Sequence, residues 1–362
     1  TTPANKFFSL QSEPIDARFT DADDLPRLAA KSGARRNKSM RPFRRRHAAL
    51  FGLGTLAAPC LARGQSYPIR PIRIVIPYAA GGGADAVGRL FYARLSQIFG
   101  QPIVIENRGG GAGTIGANAI AHAANDGYAL LHDTSSFAVN PFLLPNLPYD
   151  AVRDFEPVFL AAMVPIMLAV HPSVEARTVP EMIDLVKRTP GGVECGSSGN
   201  GTMHHLSLEL FRLRTGVQLN HVPYRGGAPE MTDLVGGQIK YAFVDGTAAL
   251  PFLRAGQIRA LAHTATGRLA AVPDLPAMSD YIPGFEAVLW NALFAPAGTP
   301  EPVIRRLNAE LNGMLRDPAF VERLDGLNMA TRPNTPAEFR AFLVAEMQRW
   351  GTVVREARIT VG

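Results

Sequence analysis

The chain has 362 residues, of which 47% are hydrophobic and 19% are charged, enough apolar sequence for a large core and two domains. The formal net charge is +6, but 12 of the 37 Lys and Arg residues lie in residues 1–64, against 5 of the 31 Asp and Glu residues. Residues 65–362 therefore carry a formal net charge of −1, which offers no electrostatic basis for nucleic acid binding.

The first 64 residues have the pattern of a leader. We interpret residues 1–39, which are polar and mixed in charge, as disordered or as an upstream extension. Residues 40–64 are predicted to be a signal peptide, with a basic segment, a short apolar run and small residues before a cleavage at Gln65. The export route, general or twin-arginine, stays open. A lipid anchor at Cys60 is not expected, so Cys195 would be the sole cysteine of the mature chain.

From Tyr67 onward, short apolar runs alternate with amphipathic stretches, which is typical of βαβ units and predicts an α/β fold. The predicted strands are residues 72–76, 103–106, 128–132, 167–170, 192–196, 219–223, 239–244, 256–263 and 287–294. The predicted helices include residues 84–99, 117–124, 204–215, 229–235, 299–315 and 335–357. Capping boxes at Thr178 and Thr335 predict two helix starts.

Two glycine-rich loops connect a strand to a helix. In Pro71–Asp85 a β-branched strand ends at Pro77, passes three consecutive glycines and opens into a helix. Backbone N–H groups and the helix dipole at such a point attract an anion. The segment Cys195–Leu206 repeats this arrangement, so the two loops together predict a clamp on a small anion. The alternative for the three glycines is a tight turn without a ligand.

Seven motifs follow one another along the mature chain, at Tyr67–Asp85, Gln101–Ala117, Asp126–Leu131, Leu147–Asp150, Ser197–Leu206, His221–Gln238 and Leu293–Pro300. With these motifs the chain resembles the extracytoplasmic solute receptors of tripartite tricarboxylate transporters, the Bug family, from about Tyr67 to Ile359. The resemblance implies a periplasmic binding protein of type II, with two parallel-rich α/β lobes joined by two crossovers. Lobe 1 would comprise residues 67–168 and 292–362, and lobe 2 residues 169–291.

The same resemblance implies a receptor that captures a small carboxylate in the cleft between the lobes. It would deliver this ligand to the membrane permease subunits of the transporter, or to a signalling partner. A periplasmic monomer is implied, with no enzymatic activity, cofactor or metal. The ligand-binding residues that the resemblance implies are Tyr78, Ala79, Gly81, Gly82, Gly83, Asp85, Thr134, Ser135, Ser136, Ser197, Asn200, Gly201, Thr202, His205, Tyr224 and Asp245.

Three positions depart from the family pattern where ligand choice is made, so the identity of the ligand does not carry over. Many relatives have proline where Ala79 and Ala80 stand, which makes this loop less stiff. The acidic residue of the second lobe, Asp245, lies one position later than is usual. His204 stands where a smaller or neutral polar residue is common.

Several of these residues have a structural alternative to ligand contact. Asp85 and Thr202 could cap their helices. Asp245 could line the cleft, where it would favour a ligand with an amine or hydroxyl group, or it could be a loop carboxylate in solvent. His204 and His205 are adjacent and cannot share one helix face, which argues against a metal pair. Trp290 is interpreted as a packing residue.

A dinucleotide-binding oxidoreductase is the alternative function. Residues 81–86 fit the pattern G-x-G-x-x-A after a strand, and Glu106 ends the next strand, near the usual position of a ribose-binding acid. The predicted export signal counts against this alternative, because nicotinamide cofactors are cytosolic. Absorbance or fluorescence of bound NAD in the purified protein would discriminate between the two functions.

Overall fold

The computed structural model describes residues 67–356 and 358–360, so the predicted extension, the signal peptide and Cys60 lie outside the described residues. The described part is a mixed α/β structure. Its strands are β1 (Ile72–Ile76), β2 (Ile103–Asn107), β3 (Ala129–Thr134), β4 (Phe155–Val170), β5 (Val193–Ser197), β6 (Leu219–Pro223), β7 (Tyr241–Asp245), β8 (Arg259–His263) and β9 (Val288–Pro296). Its α-helices are α1 (Gly83–Phe99), α2 (Thr114–Ala121), α3 (Ser136–Leu143), α4 (Val179–Arg188), α5 (Met203–Thr215), α6 (Gly227–Val235), α7 (Gly246–Arg254), α8 (Glu301–Met314), α9 (Pro318–Asp325) and α10 (Pro336–Glu356).

The strands form one sheet in the order β2-β1-β3-β9-β4-β7-β5-β6, with β8 paired to β4. In lobe 1, β1 pairs in parallel with β2 and β3, and in lobe 2, β5 pairs in parallel with β6 and β7. The long strand β4 belongs to both lobes, because its residues 155–165 pair with β9 and its residues 166–170 pair with β7. The change of partner falls between Pro165 and Ile166; the lobe limits at residues 168 and 291 stay predictions.

Parallel pairing places the carboxyl ends of neighbouring strands at one edge of each lobe. The loops after β1 and β3 therefore lie together in lobe 1, and the loops after β5, β6 and β7 lie together in lobe 2. The predicted ligand residues follow these strand ends. This topology is what brings residues far apart in sequence to the side of each lobe that faces the other.

The strand prediction missed most of β4, since only its last four residues, 167–170, were expected to be extended. Pro157 and Pro165 argue against a strand, because proline cannot donate to a sheet ladder. The structure accommodates Pro157 beside a register shift against β9 and Pro165 where β4 changes partner. Helices α3, α7 and α9 were not predicted; α3 and α7 each contain an internal proline, Pro141 and Pro251.

Two of the sequence signals are confirmed in atomic detail. Thr178 and Thr335 cap α4 and α10, and the hydroxyl of each accepts a hydrogen bond from the backbone amide three residues later. Trp290 is fully buried, and its indole N–H donates to the carboxylate of Glu346 at 3.1 Å. The interpretation of Trp290 as a packing residue is therefore confirmed.

Candidate functional site

The loop between β1 and α1 is held in place by the carboxylate of Asp85. This carboxylate accepts hydrogen bonds from the Gly81 amide at 2.9 Å, from Arg89 at 2.7 Å and from Asn107 at 3.0 Å. Burial opposes ionisation of Asp85, but these donors outweigh it, and the pKa of the carboxyl is lowered. Asp85 therefore organises the loop within lobe 1; a contact of this side chain with a ligand stays a prediction.

Tyr78, the second residue of that loop, reaches into lobe 1. Its hydroxyl donates to Asp133 Oδ1 at 2.9 Å and lies 2.8 Å from Thr134 Oγ1. Asp133 is fully buried and its Oδ2 has no hydrogen-bond partner among the described residues, so burial raises the pKa of this carboxyl to about 7. A Cβ on Gly113 would crowd both groups, at 3.2 Å and 3.3 Å, which is why a glycine stands there.

The predicted residues that follow β3, Ser135 and Ser136, are buried and contribute to the structure of lobe 1. Ser135 is fully buried, and its hydroxyl accepts a hydrogen bond from the backbone amide of Trp290 at 2.8 Å. Ser136 begins α3. Further along α3, Asn140 donates to the Ala112 carbonyl at 2.9 Å, while its own amide oxygen is buried without a partner among the described residues.

The loop between β5 and α5 is built from paired hydroxyl and imidazole groups. Ser197 Oγ bonds His221 Nε2 at 2.5 Å, and Ser198 Oγ bonds His204 Nδ1. The hydroxyl of Thr202 donates to the Gly199 carbonyl at 2.7 Å and accepts from the His205 amide, which makes Thr202 the N-cap of α5. The capping interpretation of Thr202 is confirmed. Its role toward a ligand stays a prediction, as it does for Ser197.

Two histidines beside this loop, His205 of α5 and His221 of β6, are stacked. The rings of His205 and His221 lie 4.0 Å apart between centroids and nearly parallel, and His205 Nδ1 accepts from the Gly201 amide at 3.2 Å. Burial lowers the pKa of His221 to about 4, and burial also lowers the pKa of His204 to about 4. The imidazoles of His204 and His221 are thus uncharged near neutral pH. The side chain of Asn200 makes no hydrogen bond with another described residue, and a contact of this side chain with a ligand stays a prediction.

Asp245 ends β7 and caps α7, since its Oδ1 accepts from the Thr247 amide at 2.8 Å and the Ala248 amide at 3.0 Å. The alternative of a loop carboxylate in solvent is wrong, because only 5% of Asp245 is exposed. Burial raises its pKa, although the two amides oppose this shift. Behind it, the fully enclosed carboxyl of Glu230 has a pKa raised by burial and by Asp245. No motif or spacing in the sequence indicated a role for Glu230.

Three glycines mark where the lobes meet. A Cβ on Gly83 would overlap the Asp245 carboxylate, and a Cβ on Gly226 would lie 3.3 Å from the Ala79 methyl group. A Cβ on Gly201 would lie 3.1 Å from Leu143 in α3. The predicted loops after β1, β5, β6 and β7 are thus brought together.

Of the lobe-1 residues near Gly201, Leu143 on α3 was not predicted, whereas Ala112 lies within the motif Gln101–Ala117. The positive φ of Ala112, 52°, is not signalled by the sequence, because alanine rarely adopts this conformation. Tyr224, predicted as a ligand residue, donates from its hydroxyl to Asp233 at 2.8 Å within lobe 2. A contact of Tyr224 with a ligand stays a prediction.

Residues 87–359 match the family described as the tripartite tricarboxylate transporter family receptor. Protein BugT of Bordetella pertussis is 37% identical over 304 residues, covering 83% of this chain and 93% of BugT. Three solved structures have similar folds. Rpa4515 of R. palustris with adipate is 33% identical (TM-score 0.79, 81% of this chain, 99% of that chain). The periplasmic binding protein BugD is 32% identical, with a TM-score of 0.78, and the match covers 81% of this chain and 99% of BugD. MatC from Rhodopseudomonas palustris with bound malate is 33% identical, with a TM-score of 0.75, and the match covers 80% of this chain and 100% of MatC.

Two α/β lobes that share a long strand and face each other through glycine loops define a periplasmic binding protein of the two-lobe class. The chain belongs to the tripartite tricarboxylate transporter receptor family, with the Bug proteins among its relatives. It is a solute-binding receptor of this family. The dinucleotide-binding alternative is not favoured, since Glu106 is bonded to Arg73 and Arg108, and the family is one of receptors. No helix among the described residues has the length and apolar character needed to cross a membrane.

Proposed function

We propose that this receptor captures a small carboxylate between its lobes in the periplasm and delivers it to the membrane permease of a tripartite tricarboxylate transporter. The observation that carries the proposal is that each lobe presents a helix N-terminus to the other. The first residue of α1, Gly83, faces Asp245 of lobe 2, and Gly201, next to the start of α5, faces α3 of lobe 1. Helix N-termini carry unpaired N–H groups and a partial positive charge, which suit a carboxylate.

The relatives support the ligand class. Rpa4515 holds adipate and MatC holds malate, and both molecules are dicarboxylates. In this chain the hydroxyls of Ser198 and Thr202 already have partners in their own loop, so backbone amides and the amide of Asn200 would provide most hydrogen bonds to the ligand. A ligand held in this way needs no arginine in either glycine loop.

Asp245 restricts the charge of the ligand. Its buried carboxyl lies against the start of α1, the position where the second carboxylate of a ligand would otherwise approach. A ligand carboxylate is repelled from this point while Asp245 is ionised. We therefore propose that the preferred ligand places a hydroxyl or amine group, rather than a second carboxylate, beside Asp245.

A thermal-shift screen of the purified mature chain tests the proposal. The panel contains mono-, di- and tricarboxylates, hydroxy acids, amino acids, aromatic acids and, as controls, neutral sugars. A ligand at about 100 times its dissociation constant stabilises the folded state by about 2.7 kcal/mol, a shift that such a screen detects. Stabilisation by a hydroxy or amino acid, with none by sugars, is the expected result. Stabilisation by neutral sugars and by no carboxylate would show that the proposal is wrong.

A further inference from the structure

A second concave site lies beside the loops that form the proposed carboxylate cleft, along the helices that follow them. It is an open groove of about 1040 Å³ between α1 of lobe 1 and helices α6 and α7 of lobe 2. The end of α9 and the segment that follows it, through Met329, complete the lining. Of the predicted ligand residues, only Gly81 lines this groove, so the two sites are distinct. Cavities of this volume are at the upper end of the range that small-molecule sites occupy.

The lining combines apolar side chains with arginines. Its apolar part comes from both lobes and includes Leu90, Ala93, Met231, Phe252 and Phe320. Three arginines also line the groove, Arg89, Arg94 and Arg323, whereas no Asp or Glu residue is among its lining.

The three arginines differ in their pairing. Arg89 pairs with Asp85 and Arg94 pairs with Asp317, each at 2.7 Å, and neither carboxylate belongs to the lining. Arg323, on α9, makes no hydrogen bond or ion pair with another described residue. Among the described residues, the groove therefore has one positive charge, that of Arg323, without a paired carboxylate beside its apolar surface.

We propose that this groove is a second binding site, for a small amphipathic anion: a hydrocarbon chain or ring that ends in a carboxylate or sulfonate. The chain would pack against the apolar side chains of α1, α6 and α7, and the anionic end would face Arg323. Burial of the hydrocarbon supplies most of the affinity, because an exposed arginine contributes only a modest electrostatic attraction. The arginine supplies the preference for an anion over a neutral or cationic molecule of the same shape.

Residues of both lobes line the groove, so the width of the groove depends on the angle between the lobes. Ala93 stands on the α1 wall and Thr232 on the α6 wall, and both side chains are exposed. A bulky side chain at either position would fill the groove without entering the hydrophobic core. These two positions allow the site to be blocked independently from each lobe.

Calorimetric titration of the mature chain with octanoate, octanol and octyltrimethylammonium tests the proposal. We expect octanoate to bind several-fold more tightly than octanol, and the cation to bind most weakly. Ala93→Trp and Thr232→Trp should each abolish octanoate binding. Arg323→Gln should reduce octanoate affinity to that of octanol and leave octanol unchanged. The matched control Arg214→Gln removes an exposed arginine outside the groove and should change neither affinity.

Three outcomes would overturn the proposal. Equal affinity for octanoate and octanol would show that the groove has no preference for an anion. Octanoate binding that survives both tryptophan variants would place the molecule elsewhere. Octanoate that binds in the carboxylate cleft would be displaced by malate or adipate and would be insensitive to Ala93→Trp. The first two results do not depend on whether the cleft ligand proposed above is correct.

Discussion

The buried carboxyl of Asp133 makes the stability of lobe 1 depend on pH. It receives hydrogen bonds from the Tyr78 hydroxyl and the Thr134 amide, but Oδ2 is enclosed without a partner among the described residues. Burial raises its pKa to about 7, from about 4 in the unfolded chain. The folded state thus binds the proton more tightly. This contribution to stability is fully present below about pH 4 and is lost as the pH rises to about 7.

We expect Asp133→Asn to remove the loss of stability at high pH, because the amide is neutral at every pH and its oxygen still accepts a hydrogen bond from the Tyr78 hydroxyl. At pH 8 the free energy of unfolding should rise by up to about 4 kcal/mol, since one pKa unit corresponds to about 1.4 kcal/mol. At pH 4 the two proteins should be nearly equal. Urea unfolding at both pH values measures the effect. The exposed Asp274→Asn serves as the control, and a variant that keeps the wild-type pH profile would contradict the assignment.

For single residues of the site, the sequence predicts the backbone position but not the partners of the side chain. The positions of Ser197, Thr202 and Asp85 beside the loops follow from the motif spacing and from the strand ends. The partners of their side chains do not, because a motif fixes the backbone position but not the rotamer or the tertiary contact. The sequence left capping and anion contact open for the hydroxyl of Thr202, and this hydroxyl donates to the Gly199 carbonyl. From the sequence alone, Asp245 could lie in solvent or line the cleft. Its burial against the start of α1, a contact between residues far apart in sequence, excludes the solvent position.

At the scale of the elements, α1 and α7 meet at one point. Gly83 begins α1, and the Asp245 carboxylate that it touches also caps α7. A methyl group on Gly83 would force one of two changes. Either the lobes stay apart, or Asp245 moves and α7 loses a cap worth about 1 kcal/mol. Both changes oppose closure of the lobes on a ligand.

We therefore expect Gly83→Ala to weaken binding of the cleft ligand found in the screen by about 5- to 10-fold, in line with a loss of about 1 kcal/mol or slightly more. The unliganded lobe should not be destabilised, because alanine favours a helix over glycine. Calorimetric titration and urea unfolding separate the two effects. Gly313→Ala in α8 is the matched control, since a Cβ there has open space around it. Unchanged affinity in Gly83→Ala would contradict the role of this contact.

Elements with clear periodicity were predictable, and those with an internal proline were not. Strand β1 and helix α1 lie within one residue of their predicted bounds, because their apolar pattern and the flanking glycines agree. Strand β4 contains Pro157 and Pro165, and helix α3 contains Pro141, so local rules argued against both elements. Tertiary pairing with β9 and burial in lobe 1 override those local preferences, and sequence pattern alone does not reveal such long-range contacts.

At the scale of the whole molecule, the fold class follows from the alternation of strands and helices, whereas the sharing of β4 by both lobes does not. A strand that pairs with β9 along one half and with β7 along the other makes the lobes parts of one sheet. Within residues 67–356, two crossing segments, near Pro165 and before Val288, connect the lobes through the backbone. A rotation about these segments opens the cleft with little change inside either lobe.

Such a rotation predicts that a ligand changes the exposure of Ala79, whose methyl group packs against Gly226 of the opposite lobe. We expect Ala79→Cys to react with a bulky maleimide chiefly while the lobes are apart, and saturating cleft ligand to slow this reaction. The rate should fall about tenfold for each 1.4 kcal/mol by which the ligand favours the closed form. The native Cys195 is fully buried and does not compete for the reagent. Ala341→Cys, on an exposed face of α10, is the control and should react at the same rate with and without ligand. Equal rates for Ala79→Cys in both conditions would mean that the ligand binds without bringing these loops together.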